Sequence, residues 1–235
     1  MKRFKKITHV IYDLDGLLLD TEPLHTLIIQ TVVSRYGKVF DQSMQFKLTG
    51  RNALDSAQIL VEMLALPITA QDYLKEREEF LEQLLPEAKP LPGALRLTKH
   101  LHHHQIPQAV ATSSARRSVC LKTTHHQEWF ALFDCLVLGD DPALKRGKPA
   151  PDIFLLAAQR LGAIPEECLV FEDAQAGMEA AIAAGMSVIV VPHPSVDKQL
   201  YRQANQILNS LTDFEPQMWQ LPSFAEGVSN LLLHH

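Results

Sequence analysis

The chain predicts an α/β fold, a parallel sheet with helices on both faces, interrupted once by a block of helices. Three observations carry this expectation. From Pro90 onward, short apolar runs alternate with helical patterns, the signature of consecutive βαβ units. Between about Lys38 and Pro90 no β-like run occurs and the apolar spacing is helical. Four groups of chemistry-bearing residues each stand at or just after an apolar run, which is where such sheets collect ligands.

Taken in order, Ile7 to Tyr12 reads as the first strand and runs directly into Asp13-Leu14-Asp15-Gly16. Positions i and i+2 at a strand end project to the same side, and Gly16 lets the backbone break away after the second acid. A merely conformational Asp/Gly turn is the competing reading. Thr21-Glu22-Pro23 opens a helix with a cap residue, a first-turn acid and an early proline, and Gly37 closes it. Asn52 to Leu66 and Thr69 to Leu85 follow with helical spacing; Leu60, Met63 and Leu64 share one face, and Leu74, Phe80, Leu81 and Leu84 share another. Lys89-Pro90-Leu91-Pro92-Gly93 is the return linker. The chain thus divides into a core of residues 1–20 and 90–235 and an inserted helical unit of residues 21–89. In the core, helices are predicted at Ala94 to His104, Ser114 to Gln127, Pro151 to Leu161 and Ala174 to Ala184. The predicted strands are Gln108 to Thr112, Cys135 to Leu138, Cys168 to Phe171, Ser187 to Val191 and Gln206 to Leu208.

Length and charge narrow the function classes. The chain has 235 residues and a formal net charge of −5, enough for a proper core and the wrong sign for a sequence-independent nucleic-acid binder. Small molecules are the expected partners, and the protein is expected to be a monomer. Cys120, Cys135 and Cys168 are odd in number and lack CxxC spacing, so neither a disulfide framework nor a zinc site is indicated, and reduced, buried thiols are expected. The charged start, Met1-Lys2-Arg3-Phe4-Lys5-Lys6, is followed by an apolar stretch that Asp13 cuts short before a signal sequence develops. No segment approaches the roughly 20 apolar residues of a membrane span. A cytoplasmic location follows.

Beyond the first strand, the other three groups are a hydroxyl cluster, Thr112-Ser113-Ser114, a cation held between Gly147 and Pro149, Lys148, and the acid pair Glu172-Asp173. Hydrolysis of a phosphate monoester is among the slowest uncatalysed reactions, and its catalysis rests on positioning and charge neutralisation. Asp13 is the candidate nucleophile, forming an aspartyl phosphate. Asp15 would protonate the leaving oxygen and then deprotonate the attacking water. Mg²⁺ suits a hard-oxygen set of Asp13, the Asp15 carbonyl and Asp173, with Glu172 in support. Lys148 would offset the remaining charge, and the Thr112 hydroxyl and Ser113 amide would hold a phosphate oxygen.

These residues, together with Asp20-Thr21-Glu22, Lys148-Pro149-Ala150-Pro151-Asp152 and Phe171-Glu172-Asp173-Ala174-Gln175-Ala176-Gly177, resemble the haloacid dehalogenase superfamily of phosphohydrolases over nearly the whole chain. The resemblance implies a Rossmann-like core with a helical cap inserted after the first motif, Mg²⁺ dependence, and a phosphorylated metabolite as substrate. Lys122-Thr123-Thr124-His125-His126, Leu138-Gly139-Asp140-Asp141-Pro142 and the tail Leu208 to Phe214 resemble a eukaryotic-type subgroup. It includes phosphatases of pseudouridine 5′-phosphate, glycerol 3-phosphate and FMN; the first of these is the nearest resemblance. Two rivals stay open: a phosphomutase that returns the phosphoryl group to a sugar, and a non-catalytic binding protein on the same fold.

Glu22, His25, Arg51 and Asn52 are candidates to reach a substrate when a cap closes, with ordinary helix and hinge surface as the alternative. The hinge is expected near Asp20 to Thr21 and Lys89 to Gly93. His100, His102, His103 and His104 are read as a solvated helix end rather than a metal site, and His125 and His126 as structural. His234-His235 is native sequence or the remnant of a purification tag.

Overall fold

Residues 5–41, 44, 47–48 and 51–224 are described by the structure, a computed structural model; Met1 to Phe4 and His234-His235 lie outside them. Strands β1 (His9–Tyr12), β4 (Gln108–Ala111), β5 (Cys135–Val137), β6 (Cys168–Glu172), β7 (Ser187–Val190) and β8 (Gln206–Ile207) form one sheet in the order β5-β4-β1-β6-β7-β8. Every pairing in it is parallel. The expected doubly covered, Rossmann-like sheet is therefore present.

The central strands are continuous apolar runs because both faces are covered. Along β1, Val10 and Tyr12 enter one core, while Ile11 enters the other. The first core takes Ala94, Leu97 and Leu101 of α4 (Ala94–His103) together with Trp129, Phe214 and Trp219. The second takes Phe154 and Ala157 of α7 (Asp152–Leu161) and Met178 and Ala181 of α8 (Gln175–Ala183). Tyr12 stacks on Phe171 at 5.4 Å and donates its hydroxyl to Gln108 Oε1 at 2.9 Å, so the one polar atom it buries is satisfied.

Between β1 and β4 stand α1 (Glu22–Ser34), α2 (Ala53–Leu64) and α3 (Ala70–Leu84). They share a separate apolar cluster that includes Ile29, Val32, Leu60, Leu64 and Tyr73. The chain leaves and re-enters the core through two short antiparallel strands, β2 (Leu19–Asp20) and β3 (Lys89–Pro90), paired Leu19 to Pro90 and Asp20 to Lys89. Both linker segments therefore run side by side.

Three local expectations change. The single helix expected over Ser114 to Gln127 is two, α5 (Arg116–Lys122) and α6 (Gln127–Phe130). Thr123 and Thr124 turn their hydroxyls back onto the Val119, Cys120 and Leu121 carbonyls, which ends the first helix. Thr21 precedes α1 but makes no side-chain cap bond, because its hydroxyl donates to Asp15 instead. Of the three free cysteines only Cys168 is buried; Cys120 is exposed and Cys135 half-buried, since α5 shows Cys120 to solvent.

Candidate active site

The loops at the carboxyl ends of β1, β4, β5 and β6 bring the four motif groups to one edge of the sheet. The Asp13 N–H donates to the Phe171 carbonyl at 2.9 Å, which ties the first acid to the end of β6. Gly16 has φ +78°, and a Cβ there would come within 2.5 Å of Asp173 Oδ2. A Cβ on Gly177 would fall 1.8 Å from Glu172 Oε1. Both motif glycines are thus required by carboxylates that lie against the backbone.

Lys148 is buried, and its Nζ donates to Asp13 Oδ1 at 2.5 Å, Glu172 Oε1 at 2.5 Å and the Ala111 carbonyl at 3.1 Å. That uses all three of its donors. Burial pulls its pKa down, but Asp13 and Glu172 outweigh this and leave it above the ordinary lysine value. Glu172 Oε2 accepts from the Asp173 and Ala174 N–H groups at 3.1 and 3.2 Å. Both Glu172 oxygens are therefore engaged within the protein, and the residue orients Lys148.

Asp13, Glu172 and Asp173 bring carboxylate oxygens within 4.8 Å of one another, all buried. Burial raises Asp13 to about 7, with Lys148 acting downward and Glu172 and Asp15 upward. Asp173 is pushed well above the usual range by burial and then by Glu172 and Asp13. Three buried carboxylates with one lysine between them leave an excess of negative charge on hard oxygen donors. Such a donor set fits Mg²⁺.

Asp15 sits in a different environment. Its Oδ1 accepts from Thr21 Oγ1 at 2.6 Å and pairs with Lys122 Nζ at 2.6 Å, and its Oδ2 accepts from Ser114 Oγ at 2.8 Å and Thr112 Oγ1 at 3.4 Å. Burial opposes its ionisation, but Lys122 and His25 overcome it and hold the carboxyl well below the usual range. The two acids of one motif are thereby driven apart in character. Ser114 belongs to the expected hydroxyl cluster but was given no role toward Asp15, and Lys122 and Thr21 were absent from the residues expected to act here. A lysine near the end of a short helix reads as surface, and only its fold partner reveals that it is fully buried.

Above Asp13 and Asp15 lies a cavity of about 280 Å³, floored by Thr112, Ser113 and Ser114 and walled by residues of α1, α2 and α3. Glu22, His25 and Arg51 line it. Glu22 and Arg51 also line an adjoining cavity of about 260 Å³ that reaches Asp173. Asn52 lines neither: its side chain accepts from the Asp55 N–H at 2.9 Å and caps α2. Ser113 lies in the loop ahead of α5 rather than at its first turn, whose Arg116 N–H is taken by Asp140 at 3.0 Å. His126 Nε2 donates to the Ala88 carbonyl at 2.7 Å, and His100 Nε2 to the Pro222 carbonyl at 2.8 Å, both structural contacts.

Known proteins are similar to this chain. The Haloacid dehalogenase-like hydrolase family profile matches residues 10–191. (DL)-glycerol-3-phosphatase 2 of Arabidopsis thaliana is 47% identical over 226 residues, covering 94% of each chain. A protein described as probable pseudouridine-5′-phosphatase from Drosophila melanogaster is 41% identical over 228 residues, 96% of this chain and 99% of the other. Among solved structures, a HAD hydrolase of family IA, variant 3, from Entamoeba histolytica gives a TM-score of 0.77 at 27% identity, covering 91% of this chain and 98% of its own. With the family match spanning every strand-end group from Asp13 to Asp173, this chain belongs to the haloacid dehalogenase-like hydrolase family.

Proposed function

We propose that the protein is a Mg²⁺-dependent phosphatase of small phosphorylated metabolites, with pseudouridine 5′-phosphate or a related nucleotide or sugar phosphate as the physiological substrate. The observation that carries this reading is the buried Asp13–Lys148–Glu172 constellation beside Asp15, at the floor of a cavity walled by the inserted helices. Relatives named for phosphatase activity on glycerol 3-phosphate and pseudouridine 5′-phosphate support it. The reading is of a monomeric, cytoplasmic enzyme, with residues 21–89 acting as a cap over the core; among the described residues no helix is long and apolar enough to cross a membrane.

In this reading Asp13 attacks phosphorus, the bond to the leaving oxygen breaks, and an aspartyl phosphate results. Water then attacks the phosphoryl group, gives its proton to Asp15, and frees Asp13 as a carboxylate. The Lys122 pairing keeps Asp15 in the anionic form that accepts this proton; donation to the leaving oxygen in the first step requires that pairing to loosen as substrate enters. Lys148, fixed by Glu172, stabilises charge passing between Asp13 and the phosphoryl oxygens. Thr112 and Ser113 line the phosphate end. When bound by Asp13, Asp173 and the Asp15 carbonyl, Mg²⁺ would neutralise charge on the phosphate as the carboxylate approaches.

The test is kcat/KM for phosphate release with Mg²⁺ from pseudouridine 5′-phosphate, UMP, FMN, glycerol 3-phosphate and hexose phosphates. A preference of about a hundredfold for pseudouridine 5′-phosphate, worth roughly 2.7 kcal/mol, supports the named substrate. A flat profile limits the reading to a broad-range phosphatase. Asp13→Asn is expected to abolish turnover with the fold intact by circular dichroism, and near-normal Mg²⁺-dependent activity in that variant would overturn the assignment of the nucleophile.

A further inference from the structure

The turn Leu138-Gly139-Asp140-Asp141 follows β5 and has no part in the chemistry above. None of its residues lines either cavity. It and the last residue of β5 nevertheless grip the loop Thr112-Ser113-Ser114 and the start of α5 at successive points. The Thr112 N–H donates to the Val137 carbonyl at 3.0 Å, the Gly139 N–H donates to the Ser114 carbonyl at 2.9 Å, and the Arg116 N–H donates to both carboxylate oxygens of Asp140, at 3.0 and 3.1 Å. Ala115, just before α5, supplies no side-chain cap, so Asp140 satisfies that helix start from another part of the chain.

The closest approach is at Gly139. A Cβ there would stand 2.1 Å from the Ser113 carbonyl oxygen, 2.6 Å from the carbonyl carbon and 3.3 Å from the Ser113 Cα. All three are backbone atoms, which no rotamer change moves aside. Non-bonded heavy atoms rest about 3.5–4.0 Å apart, so a side chain at this position drives the two segments apart by on the order of 1 Å. The turn itself is anchored. The buried Asp141 carboxylate accepts from the Ala143 N–H at 3.0 Å and pairs with Arg160 of α7 at 2.7 Å, and the Asp141 N–H donates to the Leu138 carbonyl at 3.0 Å.

What the turn holds in place is a hydroxyl. The Ser114 N–H donates to Thr112 Oγ1 at 3.1 Å, which occupies a lone pair of that oxygen and leaves its proton to be donated. Its acceptor here, Asp15 Oδ2, is at the long distance of 3.4 Å. The Ser113 carbonyl that Gly139 faces and the Ser114 N–H that orients Thr112 belong to one planar peptide unit. A displacement at the first is passed directly to the second.

We propose that Gly139 and Asp140 are positioning residues for the transferring phosphate, holding the Ser113–Ser114 peptide so that the Thr112 hydroxyl and the Ser113 amide meet a phosphate oxygen. This rests on the phosphatase reading above and deepens it. Both residues act through the loop they brace and touch no substrate themselves.

The experiment is calorimetric binding of inorganic phosphate in the presence of Mg²⁺. Gly139→Ala is expected to weaken it by about tenfold or more, since a shift of about 1 Å in a positioning group has large effects. The same variant should lower kcat/KM by a common factor for every phosphomonoester, because the loop holds the phosphate and not the leaving group. Gly162→Ala is the control: its φ of +68° makes a side chain costly, but nothing lies within 4 Å of it, so it should lower Tm and leave phosphate affinity unchanged. Asp140→Ala is expected to weaken phosphate binding by about fivefold, the worth of one hydrogen bond, and Asp140→Asn, which keeps an acceptor oxygen, to restore most of it. Unchanged affinity in folded Gly139→Ala overturns the proposal, and so does an equal loss in Gly162→Ala. Should Gly139→Ala fail to fold, the Asp140 pair decides: equal affinity in Asp140→Ala and Asp140→Asn overturns it. Turnover separates the two layers. A wild type that binds phosphate but hydrolyses no phosphomonoester, with affinity lost in Gly139→Ala, sinks the phosphatase reading and leaves this role standing. Normal wild-type turnover with phosphate affinity equal in wild type and Gly139→Ala leaves the reaction standing and overturns the role.

Discussion

Lys122 is fully buried, with its ammonium 2.6 Å from Asp15 Oδ1 and 2.7 Å from Ser114 Oγ. Removing the cation from such a pair leaves a carboxylate in a site built to hold it charged. Lys122→Met is therefore expected to cost about 3 kcal/mol, the low end for a broken buried pair because Asp15 keeps 26% of its side chain exposed. It should also lower kcat; urea denaturation and steady-state kinetics check both, and a variant normal in each would remove Lys122 from the site. Asp141 offers a separate test away from the site. Its carboxylate accepts from Arg160 at 2.7 Å and from the Ala143 N–H at 3.0 Å, which hold its pKa below the usual value. A depressed carboxylate stabilises the fold above its unfolded pKa of about 3.9 and loses that contribution as pH falls through the folded value. The stability gap between wild type and Asp141→Asn should accordingly be widest above about pH 5 and close toward pH 2. A gap constant over that range by thermal denaturation would show that the pair contributes nothing through its charge.

Helices α2 and α3 could be located from 3.6-residue periodicity because each buries one stripe against the same small core, Leu60 and Leu64 from one and Tyr73 from the other. Their starts were also local features: Asn52 and Thr69 accept from the N–H groups of Asp55 and Asp72. The same bond removes Asn52 from the substrate-facing group. Asn52→Ala is expected to cost about 1 kcal/mol of stability and leave KM essentially unchanged; a large rise in KM at unchanged Tm would return Asn52 to the site. Helix α5 shows the limit of periodicity. Val119, Leu121 and Lys122 continue a helical pattern, but two threonines bonded back to the last turn end it. Thr21 shows the same limit at α1, where a residue of ideal cap type is drawn to Asp15, a partner that periodicity does not reveal.

Across the molecule, the site is a place where three buried carboxylates face one lysine, an imbalance that a divalent cation relieves. Mg²⁺ at about a hundredfold over its dissociation constant should stabilise the protein by roughly 2.7 kcal/mol, about 5–10 °C in Tm for a chain of this size. Scanning calorimetry in Mg²⁺ against EDTA measures the shift, and Asp173→Asn should erase most of it; identical transitions with and without Mg²⁺ would count against a cation at this cluster. The inserted helices meet the core through charge as well as packing, since Arg117 of α5 pairs with Glu78 and Glu82 of α3. The fold class, the inserted helical block and the positions of Asp13, Asp15, Thr112, Lys148, Glu172 and Asp173 were legible in the sequence. They are local features: apolar runs, turn residues and polar groups at strand ends, all written within a few neighbouring positions. Only the tertiary structure decided that Lys122 and Thr21 grip Asp15 and that Glu172 serves Lys148. The physical reason is that a charged or hydroxyl side chain has the same local pattern whether it meets water or a partner brought beside it by packing, and burial, which separates the two, belongs to the whole fold.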